Sequence, residues 1–482
     1  MTSGRQLALA ISLFTAAVAA LFATRWGMWF DEVMTVVDTA RPLGEMLQQR
    51  AKWGHAPLYF TLIWGWQRLA GDSDFMLRLP AAAFAGLSVY AVFRLVRVLR
   101  DDAAGCAAAA LCALNPLNLM WGSQARMYTL VTALTLLLAE QVVGAPEAPP
   151  EVPPEVPEGE AANSHPSLGR LLLIALLAAA LAYTHNIGLL AVATLLGYAL
   201  VRRRPAWRTG LALLLGGATI APWQWFAAHQ QLNVAKNLNW TAQFAGGWFD
   251  ALNLARPCAA PWLAAAVTLG VITLWAVRTR GEARRLWLWL VLPPWVGLMG
   301  MWLIDGRYLI ADGRYLAVSV MGLYAMAGML AADAWRRGPA ARRRPAAVGT
   351  FAIVVLLAGL ALWANVETWR APRYFSLRDI RWQVDRYGER DVLLVLPDQL
   401  IEMFRRYFPD ATEGRMPRIT PATQWVAPVA ERLAPTSKQA YKDDLMVGFS
   451  TIQRGDLQLP VVFMHPPEPG EPLTAPIGNP QP

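Results

Sequence analysis

Residues 171–201 read LLLIALLAAALAYTHNIGLLAVATLLGYALV, a run of 31 residues that is interrupted only by Thr184-His185-Asn186. At a rise of about 1.5 Å per residue, one helix of this length would far exceed the roughly 30 Å hydrocarbon core of a bilayer. The length therefore predicts two short helices that meet at His185. This division also fixes on which side of a membrane the following arginines, 202–208, would lie.

Other apolar blocks recur along the chain. Of its 482 residues, 55% are hydrophobic and only 16% are charged, which disfavours a soluble globular protein. A helix needs about 20 apolar residues to cross a bilayer, and the number of blocks near this length excludes a single membrane anchor. The clearest blocks are Leu7–Thr24, Thr209–Ala228, Cys258–Val277, Trp287–Ile304, Tyr315–Ala332 and Ala346–Val366.

The net charge of +9 is concentrated in three short arginine-rich segments, at 202–208, 278–285 and 336–344. Lysine and arginine in short loops mark the cytoplasmic side of a membrane protein. We therefore interpret these clusters as topology signals and expect no nucleic-acid partner. With all three inside, the sequence predicts an α-helical polytopic membrane protein of about eleven transmembrane helices, with a cytoplasmic N-terminus and an outer C-terminus.

The placement of positive charge on the cytoplasmic side also helps to divide the chain into domains. A transmembrane module is predicted over 1–366, with an outer loop at 26–76 and a Pro/Glu-rich cytoplasmic linker at 144–169. Within it, helices two, three and four are predicted at about Leu77–Phe93, Ala103–Leu119 and Met127–Val143.

The chain becomes polar after Val366. Segments 367–465 and 466–482 are predicted as a small α/β extracytoplasmic domain and a disordered Pro-rich tail. The elements expected in the domain are a helix at Leu377–Tyr387, a strand at Val392–Leu396 and a helix at Gln399–Tyr407.

Two carboxylates, Asp31 and Glu32, follow the first apolar block directly after Trp29 and Phe30. Charged groups at a membrane boundary are costly unless they are paired or wet, so this pair is a candidate for chemistry. The residues leave a second interpretation open, in which the carboxylates only cap an interfacial helix or pair with Arg25.

Further polar motifs fall on the predicted outer side or at its boundary. They are Gly54-His-Ala-Pro-Leu-Tyr59, Arg78-Leu-Pro80, Ser123-Gln-Ala-Arg-Met-Tyr128, Tyr183-Thr-His-Asn186 and Arg314-Tyr-Leu316. Together with Asp31-Glu32, and in this order, they resemble the bacterial branch of the protein-mannosyltransferase-like GT-C glycosyltransferases. That branch includes aminoarabinose transferases acting on lipid A. The resemblance is best over Met1–Ala332.

The resemblance implies a GT-C fold in a bacterial inner membrane and an enzyme, a hexosyl- or pentosyltransferase. Its partners would be a polyprenyl-phosphate sugar donor and an extracytoplasmic lipid, glycan or protein acceptor. It implies that Asp31 is the general base of an inverting displacement, a role worth about 10²–10⁴ in rate. Glu32 is assigned as a second carboxylate that orients the acceptor or a cation.

The leaving phosphate requires fixed positive charge, which arginine supplies through its planar, two-pronged hydrogen bonding. The best candidates are Arg126 and Arg314, each closely followed by a tyrosine, Tyr128 or Tyr315. Arg307 and Lys52 are second choices. Each of these cations has an alternative interpretation as an interfacial side chain that extends to the membrane surface. We expect the acidic pair, Arg126 and Arg314 to converge into one pocket at the outer leaflet.

Three further residues, His55, Gln124 and His185, are predicted to position the substrate. Relatives often carry His-Pro-Pro-Leu where this chain has His55-Ala-Pro-Leu58, and a glutamate that is missing here between Gln124 and Ala125. Either histidine could bind a divalent metal, but neither has a ligand-spaced partner, so the spacing does not support a metal site. We expect no required cofactor, and both histidines are also consistent with hydrogen bonding within the helix bundle.

Two other functions fit a multi-pass protein: a lipid or oligosaccharide transporter or flippase, and a non-catalytic partner in envelope assembly. Transporters tend to have related halves and broken helices with polar residues at mid-bilayer. This sequence contains no internal repeat and concentrates ionisable residues on one face, which favours surface chemistry.

Overall fold

The computed structural model describes residues 3–144, 166–201, 206–231, 261–292, 316–336, 345–370, 392–395, 401–413, 419–421, 448–454 and 457–464. The chain divides into two compact units. The first consists of Met1–Thr24 and Asp38–Ala371, and the second of Arg25–Val37 and Pro372–Pro482. The predicted helix at 377–387 and the predicted tail lie outside the described residues, and the predicted domain boundaries stay predictions.

The helices in the first part of the chain are α1 (Ser3–Arg25), α2 (Phe30–Ala40), α3 (Leu43–Lys52), α4 (Leu58–Ala70), α5 (Asp74–Leu99), α6 (Asp102–Ala113), α7 (Pro116–Gly122) and α8 (Tyr128–Val143). They are followed by α9 (Leu168–Thr184), α10 (Asn186–Val201), α11 (Trp207–Ala218), α12 (Ala221–Gln231), α13 (Pro261–Arg278), α14 (281–292), α15 (Ala317–Arg336) and α16 (Pro345–Arg370).

By length and composition, five helical segments of the described chain could cross a membrane. They are Ser3–Arg25, Asp74–Leu99, Trp207–Gln230, Ala317–Arg336 and Ala347–Arg370. Many large apolar side chains on these helices are exposed, among them Phe14 at 67% and Val355 at 69%. Such faces suit lipid contact rather than water. The predicted total of about eleven spans stays a prediction.

The predicted division of 171–201 agrees with the structure, in which α9 ends at Thr184 and α10 begins at Asn186. His185 between them is extended, with φ −166° and ψ 153°. Its Nδ1 accepts a hydrogen bond from the Ile187 N–H at 3.0 Å, which satisfies one of the unpaired amides at the start of α10.

The prediction of one continuous helix over 103–119 is wrong. α6 and α7 are separate and bent by 64°. Pro116 cannot donate a backbone hydrogen bond, and the Asn115 carboxamide caps the new helix by accepting from the N–H of Leu117 at 3.0 Å. Asn365 Nδ2 donates to the Leu114 carbonyl at 2.9 Å, so a terminal carbonyl of α6 also has a partner.

The second predicted transmembrane helix, Leu77–Phe93, corresponds to α5 and is longer than predicted. The predicted outer loop 26–76 contains the helices α2, α3 and α4. α5 begins at Asp74 because Ser73 caps it by accepting from the Met76 N–H at 3.3 Å. It continues past the predicted end because arginine favours the helical conformation and does not end a helix. Arg94 is also held against α8, since its Nη2 donates to Glu140 Oε1 at 2.9 Å.

One end of the first unit, which we call the arginine-rich end, is connected by charged groups. Arg336 at the end of α15 contacts both oxygens of Asp101, at 2.7 and 3.0 Å. Arg100 lies 3.7 Å from Asp333. Arg278 Nη1 donates a hydrogen bond to Thr350 Oγ1 near the start of α16.

At this end the arginine segment 278–285 also contacts the helix that precedes the segment 202–208. Tyr198, near the end of α10, donates to Glu282 Oε1 at 3.0 Å. The helices that border all three arginine segments thus contact one another at the arginine-rich end. This agrees with the expectation that positively charged short loops lie on one side of the membrane. The orientation of this end toward the cytoplasm stays a prediction.

The described part of the second unit contains a four-stranded sheet in the order β2-β1-β4-β3. Its strands are β1 (Val392–Val395), β2 (Ile419–Pro421), β3 (Gly448–Arg454) and β4 (Leu457–Met464). β1 is parallel to β2 and antiparallel to β4, and β3 pairs with β4 as an antiparallel neighbour. Two helices, α17 (Ile401–Tyr407) and α18 (Pro409–Glu413), lie between β1 and β2 in sequence.

α6 and α15 approach each other closely enough for backbone contact. A Cβ atom added to Gly328 would lie 2.7 Å from the carbonyl oxygen of Ala107 and 2.7 Å from the backbone nitrogen of Ala108. Small residues permit this kind of close approach between membrane helices. Because the neighbouring atoms belong to the backbone, they cannot move aside as a flexible side chain would.

We therefore predict that Gly328→Val lowers stability by about 1–3 kcal/mol through overpacking of this helix pair. The matched control is Gly349→Val, because nothing lies within 4 Å of a Cβ at Gly349. Thermal unfolding in one detergent measures both variants. Equal midpoints for the two would contradict the close contact between α6 and α15.

Candidate functional site

Three of the polar motifs predicted from the sequence meet in the first unit. Asn186 at the start of α10 donates from Nδ2 to the Gly54 carbonyl at 3.2 Å. The neighbouring His185 ring lies 5.7 Å from the Tyr128 ring, measured between centroids. The break between α9 and α10 therefore joins the Gly54–Tyr59 motif to the Ser123–Tyr128 motif.

The loop that carries His55 is fixed by backbone contacts. Gly54 has a φ of 72°, a left-handed conformation that glycine adopts without strain. The turn is closed by the His55 N–H, which donates to the Arg50 carbonyl at 2.9 Å. From the other side, Trp223 Nε1 of α12 donates to the His55 carbonyl at 3.2 Å. The His55 ring packs against Phe60 with centroids 5.4 Å apart.

Arg126 lies in the turn between α7 and α8 and is only 3% exposed. Its guanidinium carbon is 5.9 Å from the centre of the Tyr128 ring, which itself packs on Trp121 at 4.5 Å. We call Trp121, Arg126, Tyr128 and His185 the Arg126 cluster. It places a buried positive charge beside the Tyr128 ring, where electrostatic interactions are strengthened by the low local dielectric.

Gln124 and Lys52 are two further predicted site residues that the structure describes. Gln124 is buried next to the Arg126 cluster, and its carbonyl accepts from the Arg126 N–H at 2.7 Å. Lys52 is exposed at the end of α3. Arg307, Arg314 and Tyr315 lie outside the described residues.

The acidic pair belongs to the second unit and occupies the first turn of α2. Glu32 is buried, and its Oε2 accepts a hydrogen bond from the Trp29 N–H at 3.3 Å. This is the helix-capping role that the sequence left open for the pair. Asp31 is half-buried, and its carbonyl accepts from Thr35 Oγ1 at 2.8 Å. The predicted convergence of Asp31 with Arg126 and Arg314 stays a prediction.

Sequence reasoning missed a buried ion pair near the His55 loop. Asp38, at the end of α2, pairs with Arg50 of α3, and both are at most 2% exposed. The Arg50 guanidinium lies 4.8 Å above the Phe60 ring, which in turn contacts His55. Asp38 and Arg50 are twelve residues apart on different helices, so no local pattern pairs them.

The described residues contain no group of three or more His, Cys, Asp or Glu side chains that could hold a metal ion. The expectation of no required metal or cofactor stays a prediction.

Comparison with known proteins supports the resemblance that the motifs suggested. The sequence model of the dolichyl-phosphate-mannose-protein mannosyltransferase family matches residues 54–147, which include the His55 loop and Arg126. The described helices have a polytopic GT-C fold, and the chain is a multi-pass membrane protein. A comparison with curated proteins finds no sequence match.

One similar solved structure is that of ArnT from Cupriavidus metallidurans, crystallised with undecaprenyl phosphate. The alignment covers 98% of this chain and 99% of ArnT, with a TM-score of 0.52 and 12% sequence identity. At this identity the likeness establishes the fold alone. The oligosaccharyltransferase AglB from Archaeoglobus fulgidus, in complex with an inhibitory peptide and a dolichol-phosphate, aligns over 84% of this chain and 61% of its own. Its identity is 12% and its TM-score 0.45.

We predict that Asp38→Asn destabilises the protein by about 3 kcal/mol, because it leaves the buried Arg50 charge without its carboxylate. The double variant Asp38→Asn with Arg50→Gln removes both charges and should recover most of the loss. Thermal unfolding in detergent distinguishes the two. A single variant with the midpoint of the parent would show that the pair is not a buried ion pair.

Proposed function

We propose that this protein is a glycosyltransferase that moves a sugar from a polyprenyl-phosphate carrier to an acceptor outside the cytoplasm. The observation that carries the proposal is the Arg126 cluster, a buried arginine in contact with Tyr128 where three family motifs meet. Support also comes from the fold, since ArnT was crystallised with undecaprenyl phosphate.

Arg126 is proposed to bind the phosphate of the sugar donor. A guanidinium offers two parallel hydrogen bonds to phosphate oxygens, and burial makes each charge-assisted bond stronger. Tyr128 and the His185 ring next to it supply an aromatic wall and hydrogen-bonding groups, while His55 and Gln124 lie on the loops that border the cluster. Arg314, Tyr315, Arg307 and Lys52 are proposed as additional contacts to the donor phosphate.

Asp31 is proposed as the general base. Its carboxylate accepts the proton of the acceptor hydroxyl while the hydroxyl oxygen attacks the anomeric carbon. The bond between that carbon and the phosphate oxygen breaks, its electron pair stays on the phosphate, and polyprenyl phosphate leaves. One displacement of this kind inverts the anomeric configuration. Glu32 holds the start of α2 by capping it and is proposed to orient the acceptor or a cation as well.

The proposed location is a bacterial inner membrane, with the arginine-rich end in the cytoplasm and the Arg126 cluster toward the outer leaflet. The acceptor is proposed to be an extracytoplasmic lipid, glycan or protein, and the transferred sugar a hexose or pentose.

The first test of this function concerns Asp31. Purified protein in nanodiscs is given a polyprenyl-phosphate sugar and a membrane extract, and product is followed by mass spectrometry. Asp31→Asn keeps the size of the side chain but cannot accept the proton, so we expect the rate to fall by about 10²–10⁴. Asp31→Glu is the matched control and should retain measurable transfer. Transfer by Asp31→Asn at the parent rate would refute the role of the base.

The second test concerns Arg126. Loss of a charge-assisted hydrogen bond costs about 1.5–3 kcal/mol, so Arg126→Gln should weaken binding of polyprenyl phosphate by about 10- to 100-fold. Arg126→Lys should lie between, because it keeps the charge but not the planar fork. Arg336→Gln at the arginine-rich end is the control and should bind as the parent does. Equal affinity of Arg126→Gln and the parent would remove Arg126 from the phosphate site.

A third readout separates transfer from transport. The same nanodisc preparation is replaced by sealed vesicles that contain labelled polyprenyl-phosphate sugar and no acceptor. Movement of the sugar lipid between leaflets without product formation would favour a flippase and contradict the proposed function.

A further inference from the structure

The described residues at the start of α2 are connected to the C-terminal part of the chain. The Met28 N–H donates a hydrogen bond to the hydroxyl oxygen of Tyr407 at 2.7 Å. Tyr407 is the last residue of α17, and both residues belong to the second unit. They are 379 positions apart in sequence. A segment of the predicted outer domain therefore contacts the backbone directly before the helix that carries Asp31.

The position of this hydrogen bond matters because Met28 is completely buried. A buried backbone N–H without an acceptor costs about 1–3 kcal/mol, so the Tyr407 hydroxyl satisfies a group that has to be satisfied. Met28 precedes Trp29, whose own N–H donates to Glu32. Two successive backbone amides before α2 are thus fixed, one by α17 and one by the helix itself.

α17 is suited to hold the Met28 backbone in place because its own side chains are packed and paired. Its residues Ile401, Met403 and Phe404 are buried. The Phe404 ring packs near Phe408 with centroids 6.1 Å apart. Arg405 contacts Glu402 at 2.7 Å across one turn. The Tyr407 hydroxyl is therefore presented by a packed helix, and a fixed acceptor limits where the Met28 backbone can lie.

We infer that Tyr407 is a positioning residue, through which the C-terminal domain holds the start of α2 and thereby sets the position of Asp31 for proton transfer. The inference rests on the proposed function of Asp31. It gives the C-terminal domain a role in the reaction that the polar sequence after Val366 does not indicate. Asp31 follows Met28 by three residues and lies in the first turn, so a shift of the Met28 backbone moves its carboxylate.

The test uses Tyr407→Phe, which removes the hydroxyl and keeps the ring. We expect faster deuterium exchange at the Met28 amide, measured by mass spectrometry of the peptide that contains it. We also expect a turnover rate about tenfold lower, within the loss of up to 10²-fold that a displacement of about 1 Å causes. The affinity for polyprenyl phosphate should not change. The full-length protein in nanodiscs serves for all measurements.

The control is Tyr198→Phe, which removes the hydroxyl that donates to Glu282 at the arginine-rich end. It should leave both exchange at Met28 and turnover at the parent values. A second comparison introduces Tyr407→Phe into the Asp31→Asn background. If Tyr407 acts through Asp31, the second substitution has no further effect on the residual rate.

Three results would overturn the inference. They are unchanged exchange at Met28 in Tyr407→Phe, parental turnover despite faster exchange, and a tenfold loss that recurs in the Asp31→Asn background. A parent protein that transfers no sugar would instead overturn the proposed function, and the exchange measurement would still report on the Met28–Tyr407 contact.

Discussion

Next to hydrocarbon, backbone amides and carbonyls have no water to bond with, so a helix can break there only where its new ends find partners. The break between α9 and α10 meets this condition with its own residues. His185 accepts from the Ile187 N–H, and the Gly188 N–H donates to the His185 carbonyl at 2.7 Å. The His185 ring that accepts from Ile187 also packs near Tyr128, and the adjacent Asn186 side chain donates to the Gly54 carbonyl. The break between the two helices and the candidate site therefore share the same short segment.

How much the sequence could predict depends on whether the deciding signal is local. The break at His185 follows from comparing 31 residues with the thickness of a bilayer, a calculation that needs no tertiary contact. The break before Pro116 also had a local signal, because Asn-Pro commonly begins a helix, but the apolar residues on both sides outweighed it. Hydropathy alone does not distinguish one span from two helices that meet at an angle.

The candidate site likewise contains residues with a local sequence signal and residues without one. Arg126, Tyr128, His55 and His185 stand in motifs that can be read along the chain, and the structure brings their motifs together. Asp38 and Arg50 could not be paired from sequence, because opposite charges on separate helices have many potential partners. Similarly, the start of β1 was predictable from its apolar run, whereas its partners β2 and β4 come from distant segments. The contact between Met28 and Tyr407 spans still more of the chain and leaves no trace in local composition.

The two ends of the first unit differ in how they are held. At the arginine-rich end, Arg336 and Asp101 form a half-exposed ion pair, with side chains 40% and 43% exposed. Near His55, the contacts include neutral hydrogen bonds, ring contacts and the buried pair of Asp38 and Arg50. Dissolved ions screen exposed charges over about 10 Å at 0.1 M and reach buried ones far less. Concentrated salt should therefore loosen α5, α6 and α15 where their charges meet, while the opposite end keeps its geometry, which makes ionic strength a means of relaxing one half of this bundle selectively.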